Sequence, residues 1–454
     1  MVSFSLNNNL VYVIIITTFR GIYMTKLFVG GSGSCGVHNE KYLLERIRYG
    51  EDWEIVDDYK DADIIIIIDS CIGSYNSMNA TLGYLDEITK KKKPGAKLIL
   101  SGCLANGFKI EINDKVKELL SNYEVVPRRD ILNYAIRLSD PDFEGLDYNI
   151  AHSLAFHKAQ LSVVSGCTNR CTFCKTNYMN FPLESHPLDK IEKMLKELDR
   201  VYKDKNPLNY ILCNNSNFSL YGVDLYGKQK AHEVIKTLTS LESTKYTEFG
   251  AIINWYPELI NEIISNPKVK GIFTSLESGS ERIYGMMNRP IELNKLKEII
   301  KTIRKERPDI CIRSEMIAGF PTETIDDLKR TIDTFYELDI NPAYIWPYIN
   351  SPFIKSNDYP QYKKNYIDTA TRYAKEQLQP LIDAQDAKER YEAYVTEKSD
   401  EYNGYQLLFP NGDTEFVRYE RINGNYNEGD IIAKNDIKPK YLVKKNRNKD
   451  KTSN

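Results

Sequence analysis

Six strand-like apolar segments recur through the middle of this chain of 454 residues, at Leu161 to Val164, Tyr210 to Cys213, Phe249 to Ile253, Gly271 to Ser275, Ile310 to Ile317 and Ala343 to Ile349. Charged stretches with helical periodicity separate them, for example Leu188 to Tyr202, Asn294 to Arg307 and Thr324 to Leu338. Strands alternating with helices fold as βα units around a parallel sheet. Six units are fewer than a closed eight-fold barrel uses, so residues 150–386 are predicted to form an open, six-fold βα partial barrel with a side free for a large substrate.

Upstream, Lys26 to Val29, a helical stretch from Glu40, Ile64 to Ile68 and Ala96 to Leu100 repeat the alternation. Apolar runs without polar alternation suit a parallel sheet covered on both faces, so residues 24–140 read as a small doubly wound domain. After Ala387 the texture changes to short segments rich in Tyr, Asn and Gly, at Tyr405 to Phe409, Glu415 to Tyr419 and Gly429 to Ala433, with turns at Pro410-Asn-Gly-Asp413 and Asn423-Gly-Asn425. Residues 387–454 are therefore expected to hold a small β-barrel, and the whole chain to be of the α/β class. In residues 1–23, the apolar run Leu10 to Ile16 has no Lys or Arg before it and is too short to span a bilayer. Met24 opens a stretch that reads as a first strand, so residues 1–23 are either an upstream extension or a mis-assigned start, and the protein reads as cytoplasmic, with no membrane association.

The formal net charge of -2 gives no global attraction to nucleic acid. Lys438, Lys440, Lys444, Lys445, Arg447, Lys449 and Lys451 stand against Asp450 alone and make either a solvated, frayed tail or an RNA-contacting one.

Cys167, Cys171 and Cys174 form a C-x-x-x-C-x-x-C array just after the first of the six strands, where parallel barrels build active sites. Three thiolates hold three irons of a [4Fe-4S] cube and leave one open, whereas a cluster used only for electron transfer takes four. With eight cysteines, a chance triple at this spacing has a probability of roughly two or three in a thousand, so accident explains it poorly. Zinc needs a fourth ligand, and His157 and His186 lie outside the array. Cys35, Cys71 and Cys103 each follow a predicted strand, and parallel strands bring their C-terminal ends to one edge. Their spacing alone is equally that of buried core thiols. Cys213 and Cys311 fall within predicted strands and read as small apolar residues. Eight cysteines in this length do not make a disulfide framework, and oxygen-sensitive clusters imply a reducing compartment.

The Cys167 to Cys174 array, with Phe173 before its third cysteine, resembles the signature of the radical S-adenosylmethionine (SAM) enzymes. That resemblance implies an open iron chelating the amino and carboxylate groups of SAM, reductive cleavage to methionine and a 5'-deoxyadenosyl radical, and hydrogen abstraction from substrate. Leu276-Glu-Ser-Gly-Ser-Glu-Arg282, Met287-Asn-Arg289, Ile317-Ala-Gly-Phe-Pro-Thr-Glu-Thr324 and the order of the three domains resemble the methylthiotransferases, which modify tRNA or a ribosomal protein. The likeness runs from Met24 to about Lys445. It implies a second [4Fe-4S] cluster on Cys35, Cys71 and Cys103, a TRAM-like final barrel, and an electron donor such as flavodoxin or ferredoxin. A methylated sulfur on the auxiliary cluster would receive the substrate radical, with a second SAM supplying the methyl group.

The same resemblance places Phe173, Asn214, Asn215, Glu277, Ser278, Gly279, Arg289, Ile317 and Gly319 around SAM. Glycine at 279 and 319 permits close approach of a nucleoside, although strand-end glycines are also ordinary turn formers. Asn214 and Asn215 have the alternative of surface turn residues, and Arg289 that of a solvated side chain. The sequence departs from the family at Asn177, Asn180-Phe181 and His186, where Pro, Arg-Gly and Arg are usual, and at Ser351-Pro352-Phe353, where Arg-Pro-Gly-Thr-Pro is typical.

The leading expectation is methylthiolation of a modified adenosine near the anticodon of tRNA, because a single-stranded loop suits a chain with 32 tyrosines and a basic tail. The alternative is a protein side chain, since residues 388–437 carry six Lys or Arg against eleven Asp or Glu. A third, non-enzymatic reading is a metal-binding module of the RNA machinery with zinc in one cysteine set.

Overall fold

A computed structural model describes residues 25–31, 53–70, 75–106, 114–127, 130–139, 150–155, 158–177, 182–202, 208–213, 217–351, 354–389, 392–409 and 414–438. The chain divides into two compact units, Met1–Gly145 and Leu146–Asn454.

In the first unit the strands are β1 (Thr25–Gly31), β2 (Trp53–Val56), β3 (Ile64–Asp69), β4 (Lys97–Leu100) and β5 (Glu124–Val125), in the order β2-β1-β3-β4-β5. All neighbours are parallel. Ile65, Ile66, Ile67 and Ile68 are buried, as a strand covered on both faces requires. The predicted strands at 26–29, 64–68 and 96–100 coincide with β1, β3 and β4. β2 is too short and mixed to be seen in sequence, and the helical stretch expected from Glu40 lies outside the described residues. β1, β3 and β4, the strands that precede Cys35, Cys71 and Cys103 in sequence, are parallel neighbours, so their C-terminal ends lie along one edge of the sheet.

The second unit contains β6 (Ala151–Ala155), β7 (Lys158–Leu161), β8 (Val164–Ser165), β9 (Glu184–Ser185), β10 (Leu208–Cys213), β11 (Thr244–Ile252), β12 (Val269–Glu277), β13 (Cys311–Ala318) and β14 (Asn341–Pro347). Seven of them form a sheet ordered β14-β13-β12-β11-β10-β7-β6, parallel throughout except for the antiparallel edge strand β6. The helices Leu188–Tyr202, Ala231–Thr239, Pro257–Ser265, Leu293–Glu306, Ile325–Leu338 and Lys364–Glu389 each pack on the next. The result is an open partial barrel of six βα units.

One predicted strand is displaced. Leu161 to Val164 was read as the first strand of the array, but β7 ends at Leu161 and Val164 belongs to the short β8, which pairs with β9. Val163 and Val164 are buried without joining the large sheet, so their apolar character reports burial rather than pairing. The cysteine loop accordingly leaves a small hairpin arm.

The C-terminal strands β15 (Glu392–Ser399), β16 (Gly404–Leu408), β17 (Thr414–Arg418) and β18 (Ile431–Ala433) form an antiparallel sheet ordered β17-β16-β15-β18. Val395, Tyr405, Leu407, Val417 and Ile432 are among its core residues. The outer strands β17 and β18 do not pair among the described residues, so the sheet wraps a core without the full closure expected of a barrel. Among the described residues, no helix is long and apolar enough to cross a membrane.

Candidate cluster and cofactor site

Gly166 sets the direction of the cysteine loop. Its φ is +74°, and a Cβ there would lie 1.9 Å from the Pro182 carbonyl oxygen, so only glycine fits. The loop is then tied to residues 286–289. The Thr172 N–H donates to Met287 O at 3.0 Å and its hydroxyl to Met286 O at 2.9 Å, while Asn288 Nδ2 donates to Arg170 O at 2.8 Å. Cys171 is buried, and Cys167 and Cys174 are half-buried.

Donors face two of the sulfurs. Asn169 N–H points at Cys167 Sγ at 3.4 Å, Asn217 Nδ2 at the same sulfur at 3.7 Å, and Arg289 Nη1 at Cys171 Sγ at 3.3 Å. Burial pushes both thiols up, and the Asn169 N–H at Cys167 and the Arg289 charge at Cys171 work against it. Such donors stabilise a metal-bound thiolate.

Arg289 is the hub of the site. Its Nη2 donates to Ser275 O at 2.6 Å, and its guanidinium carbon lies 5.8 Å from the centre of the Phe173 ring. Burial opposes its charge, but Cys171, Glu277 and Tyr284 outweigh that and raise its pKa. Arg289 Nε is enclosed and has no hydrogen-bond partner. Glu277 is buried with a φ of +64°, and its carboxyl pKa is driven well above the ordinary range by burial and by Glu315, with Arg289 pulling the other way. Ile317 belongs to an apolar group with Ile283, Met287, Phe320, Tyr348 and Ile354, against which Phe173 packs. Phe173, Arg289 and Ile317 therefore gather with the cysteines, from parts of the chain more than a hundred residues apart.

Ser278, Gly279 and Gly319 turn elsewhere. Ser278 Oγ is 3.2 Å from Thr331 Oγ1, and a Cβ on Gly279 would meet Thr334 Oγ1 at 2.3 Å. A Cβ on Gly319 would be 3.0 Å from Ile367 Cα. The close approach expected at both glycines is thus made by helices of the protein itself. Asn214 and Asn215 lie outside the described residues.

Sequence reading missed an asparagine cluster. Asn169 and Asn254 exchange amide hydrogen bonds at 2.8 and 3.1 Å, and Asn217 Nδ2 donates to Asn254 Oδ1 at 2.5 Å. Asn217 and Asn254 both follow strand ends, the same rule that marks the cysteine loop, and that position was the available signal. Of the family departures, His186 donates its N–H to Val163 O at 2.9 Å, Ser351 is buried, and Asn177 ends a turn over Lys175–Asn177. Asn180, Phe181, Pro352 and Phe353 lie outside the described residues.

Of the second cysteine set, Cys103 is described and half-buried, while Cys35 and Cys71 lie outside the described residues. The flanks of Cys71 and Cys103 are stitched together through Ser70. Its hydroxyl donates to Ser101 O at 2.5 Å and accepts from Leu104 N at 3.0 Å, and its carbonyl accepts from the same Leu104 N–H at 2.9 Å. Cys311, on β13, is buried as expected; Cys213 ends β10.

Among the described residues, no three Cys, His, Asp or Glu side chains gather closely enough to hold a metal ion. Three spaced thiols on one loop, with N–H donors aimed at two of them and an unpaired Arg289 Nε nearby, suit a cluster whose irons sit at separate corners and an anionic cofactor group.

The Radical SAM superfamily pattern matches residues 161–335, and that of the Uncharacterized protein family UPF0004 matches residues 35–121. The chain is 27% identical over 309 residues to the "Ribosomal protein uS12 methylthiotransferase RimO" of Fervidobacterium nodosum, covering 64% of this chain and 67% of that protein. It is also 27% identical over 314 residues to the "tRNA-2-methylthio-N(6)-dimethylallyladenosine synthase" of Thermosipho africanus, covering 66% and 69%. Among solved structures, the cobalamin-dependent SAM radical enzyme OxsB aligns over 76% of this chain and 56% of its own, at 12% identity and a TM-score of 0.45.

Proposed function

The chain belongs to the radical SAM methylthiotransferase family, and on that premise we propose that it inserts a methylthio group at a C–H bond of a side chain in a basic protein. The observation that carries this choice is charge: residues 388–437 hold eleven Asp or Glu against six Lys or Arg. Such a surplus attracts a cationic protein and repels a phosphate backbone. Relatives named as ribosomal-protein methylthiotransferases support the same choice.

Cys167, Cys171 and Cys174 would hold one [4Fe-4S] cluster, and Cys35, Cys71 and Cys103 the auxiliary one. When bound, the clusters and SAM supply one-electron cleavage, hydrogen abstraction and the transferred methylthio unit. Arg289, Asn169 and Asn217 donate hydrogen bonds to the cysteine sulfurs and fix their orientation. Arg289 Nε is an N–H ready for the cofactor carboxylate, and the buried carboxyl of Glu277 beside it is placed to meet the cofactor ammonium. Phe173 and Ile317 exclude water beside them.

A second reading, modification of tRNA, is supported by the Thermosipho relative at equal identity and by the basic residues 438–454. Mass spectrometry of tRNA nucleosides and ribosomal proteins from cells with and without the gene decides between them. The methylthio increment is expected on a protein; an increment confined to tRNA overturns the reading.

A further inference from the structure

On β14, Asn341, Pro342 and Ile345 are buried, whereas Tyr344 and Trp346 are 50% and 47% exposed. The helix Lys364–Glu389 packs on this strand, and alternate residues of a strand point to opposite faces. Tyr344 and Trp346 therefore stand on the face of the open sheet away from that helix. Their rings are stacked, with centroids 5.2 Å apart and planes at 16°, and Phe273 of β12 lies 5.9 Å from Tyr344.

Exposed aromatics on a flexible surface would be unremarkable, but this pair is anchored. Trp346 Nε1 donates to Glu315 Oε2 at 3.0 Å, Ser275 Oγ donates to Glu315 Oε1 at 2.8 Å, and Ser275 O accepts from Arg289, which itself contacts Cys171. A continuous chain of polar contacts thus fixes the indole relative to the cysteine loop. The register pairs Trp346 with Ile317, which packs with Phe173 of that loop. The platform stands at the level of the site, on the outermost strand, at the side where the barrel is open.

Resting on the protein-substrate reading above, we infer that Trp346 and Tyr344 are a docking platform for a Lys or Arg side chain of the substrate, held over the ring faces with Glu315 as its counter-charge. A cation over a tryptophan face is attracted by the ring quadrupole, and a nearby carboxylate adds to the attraction. Arg313, two residues before Glu315 and on the same face, is engaged by Glu248 at 3.8 Å. A nucleobase would also stack here, but its phosphates would approach Glu315.

The test is fluorescence anisotropy with the full-length, cluster-loaded protein, using a labelled lysine-rich peptide and, separately, a labelled adenine-rich RNA oligonucleotide. Trp346→Ala should weaken peptide binding about tenfold, Trp346→Phe should restore it to within about threefold, and Glu315→Gln should weaken it about threefold. The inference is overturned if Trp346→Ala leaves peptide affinity intact, or if it weakens RNA binding and not peptide binding. Mass spectrometry separates the two failures. A methylthio group on tRNA alone removes the substrate reading and this platform together, whereas a methylthio-protein with normal peptide binding by Trp346→Ala removes only the platform.

Discussion

The two cysteine sets are laid out by different means. Cys167, Cys171 and Cys174 occupy eight consecutive residues, and a single loop tied to Met286, Met287 and Asn288 orients them. Cys35, Cys71 and Cys103 are spread across the first unit and follow in sequence β1, β3 and β4, which are neighbours in its sheet. Each set still depends on a glycine with positive φ directly before a cysteine: Gly166 at +74° before Cys167, and Gly102 at +89° before Cys103. A ligand triple can thus be carried by local sequence or by strand order, and only the first kind is visible as a motif.

The strongest way to break that comparison is to remove one thiol from each set. Cys174→Ala should lower SAM cleavage at least a hundredfold, read as 5'-deoxyadenosine release, and lose about four of about eight irons. Cys71→Ala should also lose about four irons, yet keep SAM cleavage within about twofold and lose methylthio transfer. Equal loss of cleavage in both variants would erase the division of labour.

Next come the glycines. Gly166→Ala drives a Cβ to 1.9 Å from Pro182 O and should cost about 3 kcal/mol, with loss of the first cluster. Gly102→Ala brings a Cβ to 2.6 Å from Ser70 N, and its damage should stay in the first unit, with SAM cleavage retained. Thermal unfolding and iron content check both. Arg289→Gln removes the donor to Cys171 and should reduce SAM cleavage ten- to a hundredfold without unfolding the chain, with an altered electron paramagnetic resonance signal of the reduced cluster.

The smallest effect is electrostatic. Glu323, buried beyond β13, has its carboxyl pKa pushed up from 4.5 to about 8, first by burial. The folded state then holds this proton more tightly than the unfolded chain, so the contribution is complete below about pH 4.5 and is lost as pH rises through about 8. Glu323→Gln should flatten the fall of Tm between about pH 4.5 and 8, and replacing Cys35, Cys71 and Cys103 should leave that fall as it is.

The sequence displays what is written locally. The array, the long apolar runs and helices such as Leu188–Tyr202 are legible because spacing and periodicity are properties of neighbours. The meeting of Phe173 with Arg289 is not, since they are 116 positions apart and only the bonds of Thr172 to Met286 and Met287 join their segments. The polar edge strand β6, Ala-His-Ser-Leu-Ala, carries no strand pattern and owes its state to pairing with β7. β15, Glu-Ala-Tyr-Val-Thr-Glu-Lys-Ser, has buried apolar residues in succession and only its hairpin partner fixes it. Gly279 is ambiguous for a related reason: a glycine reports that something comes close without saying what, and here Thr334 does.

That glycine has a historical consequence. Thr334 Oγ1 at 2.3 Å, Thr334 Cβ at 2.7 Å and the Arg330 carbonyl oxygen at 2.8 Å all crowd the point where a Cβ would stand. A smaller residue at 334 would remove the first contact and leave the backbone one, so in lineages descending from this sequence position 279 should stay glycine whatever happens at 334.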